Sequence, residues 1–299
     1  MKNSTKSLLF LGAIFITENS VAQLEPSWTV GYDILPFQEV DGSIEMEDGS
    51  LVDDAEVRLS RVRTSFKYPK IYFQGKTIVF HEISYQGIGF DYRKTTSLID
   101  RLHALGYSLT ALHTLSEKWS MLFIGKSSLA SDFDTDITGE DFSFQSAAIF
   151  NRQINENLTM GLGIAYSTQF GKAEALPLLS IDWNNGAKWS INTILPSNLD
   201  IWYDHSQRVK LGFLVTIDGE NFRFSPGNYE DEYPKPNLRY TMITMGPTAK
   251  ISLSKKSLLN IESGIVGLHR FEFYSENVEV VSNDLKPNWY IKLGFETNL

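Results

Sequence analysis

The sequence predicts an all-β protein, an up-and-down antiparallel transmembrane β-barrel following a signal peptide, and three observations predict it. Five short polar turns recur along the 299 residues, at 116–119, 155–158, 184–189, 206–209 and 254–258, each leading into an apolar residue that opens an alternating stretch. Recurring tight turns between period-two strands are how hairpins appear in sequence. The alternation is long. Leu158, Met160, Leu162, Ile164 and Tyr166 share one face, and Thr159, Gly161, Gly163, Ala165 and Ser167 fill the other. Successive side chains of a strand point to opposite faces, so such a segment separates two solvents along its length. The third observation is an N-terminus suited to export.

That N-terminus carries Lys2 and Lys6, an apolar run from Leu8 to Ile16, and small residues at Ser20 and Ala22. These three regions define a signal peptide over residues 1–22, with cleavage after Ala22 and a barrel domain over 23–299. No other stretch approaches the ~18 apolar residues of a spanning helix. Cysteine is absent, which excludes disulfides, thiolate metal sites and a lipid anchor on cysteine. Cleavage removes Lys2, Lys6 and Glu18, leaving 25 basic and 35 acidic side chains and a net charge of −10. An acidic protein of this kind is not a nucleic-acid binder.

The strands are expected, in order, at 27–36, 54–66, 76–91, 103–114, 118–130, 141–152, 157–170, 175–183, 188–195, 198–204, 208–224, 238–253, 257–274 and 287–298. That is fourteen, an even number as single-chain bacterial barrels have. The five polar turns and a longer sixth, Tyr68-Pro69-Lys70 to Gly75-Lys76, close hairpins on one side. Short turns mark the periplasm, so both chain ends belong there. The other side receives 37–53, 92–102, 131–140, 171–174, 196–197, 225–237 and 275–286. Pro196 lacks a ladder donor, and merging the strands beside it would give twelve.

A soluble lipocalin-like barrel shows the same alternation with its apolar face inward. Three features turn the apolar face outward. The small-polar face carries charges, and alternation assigns Glu82, Lys126, Asp182, Asp200, Lys210, Asp218, Glu262, Arg270, Lys292 and Glu296 to the lumen. The strands run ~10–14 residues, enough to cross a bilayer while tilted. Trp28, Trp119, Trp183, Trp189 and Trp289 lie near strand ends, where an indole anchors at the headgroup level.

The segments Gly163-Ile164-Ala165-Tyr166-Ser167-Thr168-Gln169-Phe170-Gly171, Leu176-Pro177-Leu178, Leu195-Pro196 and Asp218-Gly219-Glu220-Asn221-Phe222-Arg223 resemble a family of Bacteroidetes outer-membrane β-barrel proteins classed as a domain of unknown function. The resemblance covers most of the mature chain. It implies the barrel and the outer membrane of a Gram-negative cell, with lipopolysaccharide around it and the barrel-insertion machinery as its folding partner. It carries no catalytic residue across. Leu299 stands where outer-membrane barrels commonly end on an aromatic, although Phe295 and Trp289 share its face.

Candidate chemistry is sparse. Asp132, Asp134 and Asp136 are hard oxygen ligands at the spacing of a calcium loop, but Ile137 replaces the glycine and Ser143 the bidentate glutamate. The bland reading is a solvated acidic loop, and shared divalent cations between such carboxylates and lipopolysaccharide phosphates are a middle one. A lipid-modifying hydrolase would need a paired nucleophile and base. His81 and Ser84 fall on opposite faces of one strand, His205-Ser206 lies in a periplasmic turn, and His103 and His113 are roughly 33 Å apart on theirs. No resident cofactor is implied. The expectation is therefore a passive conduit for small solutes or ions, against a non-conducting barrel with acidic outer loops, with the hydrolase a third choice. Eight strands fill with side chains and sixteen or more leave a channel, so fourteen permits either of the first two.

Overall fold

The structure is a computed structural model that describes residues 25–41, 44–45, 51–52, 55–95, 99–134, 136–168, 174–224, 236–275 and 278–299. The signal peptide expected over 1–22 lies outside the described residues. Fourteen strands close into one antiparallel barrel: β1 Ser27–Ile34, β2 Glu56–Tyr72, β3 Thr77–Arg93, β4 Arg101–Thr114, β5 Trp119–Ser131, β6 Phe142–Asn155, β7 Leu158–Ser167, β8 Glu174–Asn184, β9 Trp189–Leu195, β10 Asn198–Asp204, β11 Val209–Arg223, β12 Pro236–Ser252, β13 Ser257–Ser275 and β14 Asn288–Asn298. Each pairs with its neighbour in sequence, except that β1 pairs with both β2 and β14. That double pairing removes the free edge.

The polar turns have a shared physical cause. Ser116 Oγ accepts from the backbone N–H groups of Lys118 and Trp119 at 3.4 and 3.2 Å, and Ser206 and Ser254 accept in the same pattern from the residues two and three positions on. In the third, at 184–189, Asn185 Oδ1 takes the N–H groups of Ala187, Lys188 and Trp189, each at 3.0 Å. A short side-chain acceptor thus satisfies turn donors that no strand can reach. The sixth turn is tighter than the sequence suggests. Strand pairing continues through Pro69, opposite Phe80, as far as Tyr72 opposite Thr77, and the chain reverses at Phe73–Gly75. Phe73, Gln74 and Gly75 all have positive φ there.

The hairpin at Pro196 forms, and the count is fourteen rather than twelve. Pro196 sits in the two-residue connection, outside the β9–β10 ladder, so its missing N–H costs no strand bond. On the loop side, the 275–286 segment contains a strand that the sequence reading missed: Val278–Asp284 pairs with the upper end of β13.

The outward face is an apolar belt. Leu162 is 71% exposed and Ile83 63%, and Phe66, Tyr107, Phe123, Phe213 and Leu293 are exposed around the same wall. A monomer in water does not present so continuous a surface of large apolar side chains, whereas a bilayer covers it. Trp28, Trp119, Trp183 and Trp189 stand on the outward face at the turn end, and Trp289 on the same face at the loop end.

Inside, the barrel is divided. Near its upper end β11, still paired with β12, bridges in parallel to β5, Arg223 opposite Ser131, although five strands separate the two in the sheet. Lys126 and Ser143 reach Glu220 across this bridge at 3.5 and 3.2 Å. The partition makes two compartments with separate apolar cores. The larger core, which includes Leu35, Ile88, Leu102, Phe222, Tyr240, Met242 and Tyr290, draws only on β1–β5, β11–β14 and segments beside them. The smaller, Leu122, Ile149 and Leu178 with Ile194 and Ala165 against them, belongs to β5–β9.

Candidate functional site

The main compartment is filled at its loop end and hollow towards the turns. Residues 35–41 fold over its mouth: Gln38 pairs with Val57, Val40 bridges Leu285, and His269 Nδ1 meets Gln38 Oε1 at 2.8 Å in a buried contact. Below that lid lies the larger core. Beneath the core, Arg61 spans the lumen with its side chain fully buried. It bonds Asp33 on β1 at 2.7 Å, Asp218 on β11 at 2.5 Å, and the Tyr240 hydroxyl on β12 at 2.8 Å. Arg63 adds a second cation to Asp33 at 2.8 Å. Buried charges persist only when paired and hydrogen-bonded, and here each partner comes from a different part of the wall.

On the turn side of this layer is a cavity of about 580 Å³. Asp33, Glu82, Asp218, Glu220 and Glu262 line it, against Arg63, Lys126, Lys250 and Lys292. Five carboxylates against four cations are close to balance, so the acidity of the whole chain is not concentrated in its lumen. Lys292 bonds Glu262 at 3.1 Å, and Tyr290 donates to the same carboxylate at 2.6 Å. Small side chains, among them Thr29, Ser65, Ser84, Gly106 and Ser108, leave the space open.

A second cavity of about 210 Å³ lies in the side compartment, lined by Asn151, Thr159, Ser180, Asp182, Asn192, Asn198 and Asp200 with Ile194 above them.

The ten lumenal charges expected from sequence divide accordingly. Glu82, Lys126, Asp218, Glu262 and Lys292 line the main cavity, and Asp182 and Asp200 the second. Lys210 and Glu296 have inward register near the turn end, where Lys210 pairs with Asp204 at 3.1 Å. Arg270 is a correction. A bulge at Gly267 shifts the register of β13, so His269 and Phe271 turn inward while Arg270 points out and binds Asp284 at 2.6 Å. Alternation counted from Glu262 cannot see the extra residue. The hydrogen bonds from Arg270 hold the Asp284 carboxyl below the usual carboxylate range.

The residues that sequence reasoning missed are Asp33, Arg61, Arg63, Glu220, Tyr240 and Lys250. Asp33 was within reach, since Trp28, Val30, Tyr32 and Ile34 alternate against it. Arg61 was hidden because β2 is apolar inward at Val57 and Leu59 and apolar outward at Val62 and Phe66. Asp132, Asp134 and Asp136 are not brought together; Asp132 Oδ1 accepts from the Asp134 N–H at 3.1 Å as an ordinary turn, and no three-ligand metal cluster occurs among the described residues. Three histidines bond hydroxyls: His81 with Tyr107 at 2.7 Å, His103 with Tyr85 at 2.8 Å, His113 with Thr77 at 2.7 Å.

The model of one protein family, described as a domain of unknown function, DUF6268, matches residues 74–298. The chain belongs to that family. The match takes in β3 to β14, with the whole lining of the second cavity and all of the main cavity's lining except the part on β1 and β2. No curated protein matches the sequence. Among solved structures the chain is similar to the COG4313 outer membrane channel from Pseudomonas putida F1, at 9% identity and a TM-score of 0.47 over 92% of this chain and 96% of that one. It is also similar to the P. putida toluene transporter TodX, at 9% and 0.47 over 96% and 94%, and to LpxR from Salmonella typhimurium, at 4% and 0.38 over 91% and 100%. Likenesses this distant say nothing of what this chain carries.

Proposed function

We propose that this protein is an outer-membrane conduit for small solutes whose lumen is closed at its loop end by a lid and a layer of ion pairs. The observation that carries the reading is the 580 Å³ polar cavity inside a closed barrel with an apolar exterior. A purely structural barrel gains nothing from a hollow interior lined with charge, because each buried charge costs desolvation that apolar filling would avoid. The exterior belt, the tryptophans at both rims and the short turns on one side support an outer-membrane setting, reached through a cleaved signal peptide and the barrel-insertion machinery, with lipopolysaccharide facing the acidic loops. Opening requires residues 35–41 to lift and the contacts of Arg61 to part. With its lining near charge balance, the lumen is expected to select ions weakly.

A second reading, a non-conducting barrel, is favoured by Arg61 itself, which ties opposite walls across the lumen. Recordings of purified full-length protein in planar bilayers separate the two. The conduit shows brief openings in the wild type and a higher open probability in Arg61→Ala. Silence from both, with the variant still folded, establishes the non-conducting barrel instead.

A further inference from the structure

Nine charged side chains line the main cavity, and pairing accounts for seven of them. Asp33 takes Arg61 and Arg63, Asp218 takes Arg61, Glu220 takes Lys126, and Glu262 takes Lys292. Two remain, one of each sign. Lys250 has no ion pair or hydrogen bond among the described residues. Its Nζ stands 4.3 Å from the centre of the Trp202 ring, and Asp200 and Glu296 act on it only through their field. An aromatic face holds a cation without supplying an oxygen acceptor, so the three donors of this ammonium still lack one. Glu82 has Lys67 at 3.9 Å, which is too far for a hydrogen bond, and it accepts from no other side chain among the described residues.

The two stand on different walls. Lys250 is on β12 and Glu82 on β3, with β13, β14, β1 and β2 between them around the barrel. Neighbouring strands are ~4.8 Å apart, so these charges are separate poles of one cavity and not neighbours in one ladder. Beside Glu82 the wall is small and hydroxylic: Ser108 lies opposite it on β4, and Ser84 pairs with Ser65 two residues further along. A Cβ at Gly106 would stand 2.5 Å from Ser84 Oγ, so glycine there gives that hydroxyl its room. A singly charged solute satisfies one pole and leaves the other bare. An α-amino acid carries both charges, but too close together to meet both walls. A volume of about 580 Å³ accepts a molecule of dipeptide size with water beside it.

We propose that the main cavity binds a small zwitterion whose charges are set apart by a short polar chain, as in a dipeptide, with its carboxylate on Lys250 and its ammonium on Glu82. The hydroxyls of Ser84 and Ser108 serve the polar chain between. This rests on the reading of the cavity as a solute's path and names the class of solute. A solute with no net charge also suits a lining in which both signs are nearly balanced.

The test uses calorimetry on the full-length protein in phosphatidylcholine nanodiscs, with empty nanodiscs subtracted. Glycylglycine is compared with N-acetylglycine and glycine N-methylamide, which keep its chain and lack its ammonium and its carboxylate respectively, and with glycine. Glycylglycine is expected to bind about tenfold or more tightly than each of the others, as the loss of a charged hydrogen bond implies. Lys250→Met should bring glycylglycine down to the level of glycine N-methylamide and leave that amide unchanged. Glu82→Gln should bring it down to the level of N-acetylglycine, and keeps the test decisive if Lys250→Met fails to fold. Heat-modifiable migration on gels checks that each variant forms the barrel. Equal binding of any of the three comparison solutes, or full affinity in both folded variants, overturns the proposal. Swelling of proteoliposomes in glycylglycine reads the conduit separately. Swelling without saturable heat overturns this proposal and leaves the conduit standing, whereas saturable heat that both variants lose, without swelling, supports the site in a barrel that does not conduct.

Discussion

The two compartments share one barrel and one sequence pattern, yet they are built on opposite principles. The main compartment has tall walls, and its loop end is filled with aromatic and aliphatic side chains above a buried cluster of charges. The side compartment has the two shortest hairpin-linked strands, a small apolar cluster, and a polar cavity lined by Asn151, Ser180, Asp182 and Asp200. Where the strands are tall enough to cross the membrane, the lumen can be closed from within. Where they stop short, the apolar core is small and the interior beneath it stays polar. Wall height, more than the alternation of residues, decides what each half of the barrel can do.

Breaking that contrast at its strongest point means removing Arg61. Arg61→Ala leaves Asp33, whose side chain is 1% exposed, with only Arg63, and strips Asp218 of its partner. Truncating one partner of a buried ion pair costs about 3–5 kcal/mol. Urea titration of the barrel in detergent, followed by tryptophan fluorescence, should show a loss of that size. A loss under 1 kcal/mol would mean that water already reaches this layer and that it does not close the lumen.

A smaller pair of substitutions compares the compartments directly. Met242→Ala empties a fully buried position in the larger core and should cost about 2–5 kcal/mol. Ile194→Ala, on the half-buried edge of the side compartment, should cost about 1 kcal/mol in the same titration, because much of its side chain is not withdrawn from solvent. Equal costs would show that the side compartment is as tightly packed as the main one, and would remove the distinction between a filled and an open interior.

The sequence revealed the barrel more fully than it revealed the lumen. Period-two alternation and serine or asparagine turns are local signals, and Ser116, Asn185, Ser206 and Ser254 each act on backbone groups a few residues away. The lumen depends on partners far apart in sequence. Arg61 meets Asp218 across 157 residues, and no pattern within β2 announces it. The bulge at Gly267 shows a third kind of limit: one inserted residue reverses every inward assignment above it, so Glu262 was placed correctly and Arg270 was not. The short strands were visible as a brief interval between two turns, but their meaning required the height of their neighbours.

The smallest effect concerns the Val278–Asp284 extension on the upper end of β13, outside both filled regions. Arg270 and Asp284 pair there at 2.6 and 2.9 Å, with side chains 43% and 41% exposed. The Asp284 carboxyl is held low first by hydrogen bonding to Arg270, so folding favours its ionised form. Its contribution is therefore fully present above the unfolded value of ~3.9 and is lost as pH falls through the lower folded value. Solvent screening limits it to about 0.5 kcal/mol. Arg270→Ala should match the wild type within that amount at pH 7, and the gap between them should close as pH falls below the unfolded carboxylate value. A gap that widens in acid would mean that Arg270 acts through a different partner, and a gap of several kcal/mol at pH 7 would place this extension inside the cooperative core with the lid and Arg61.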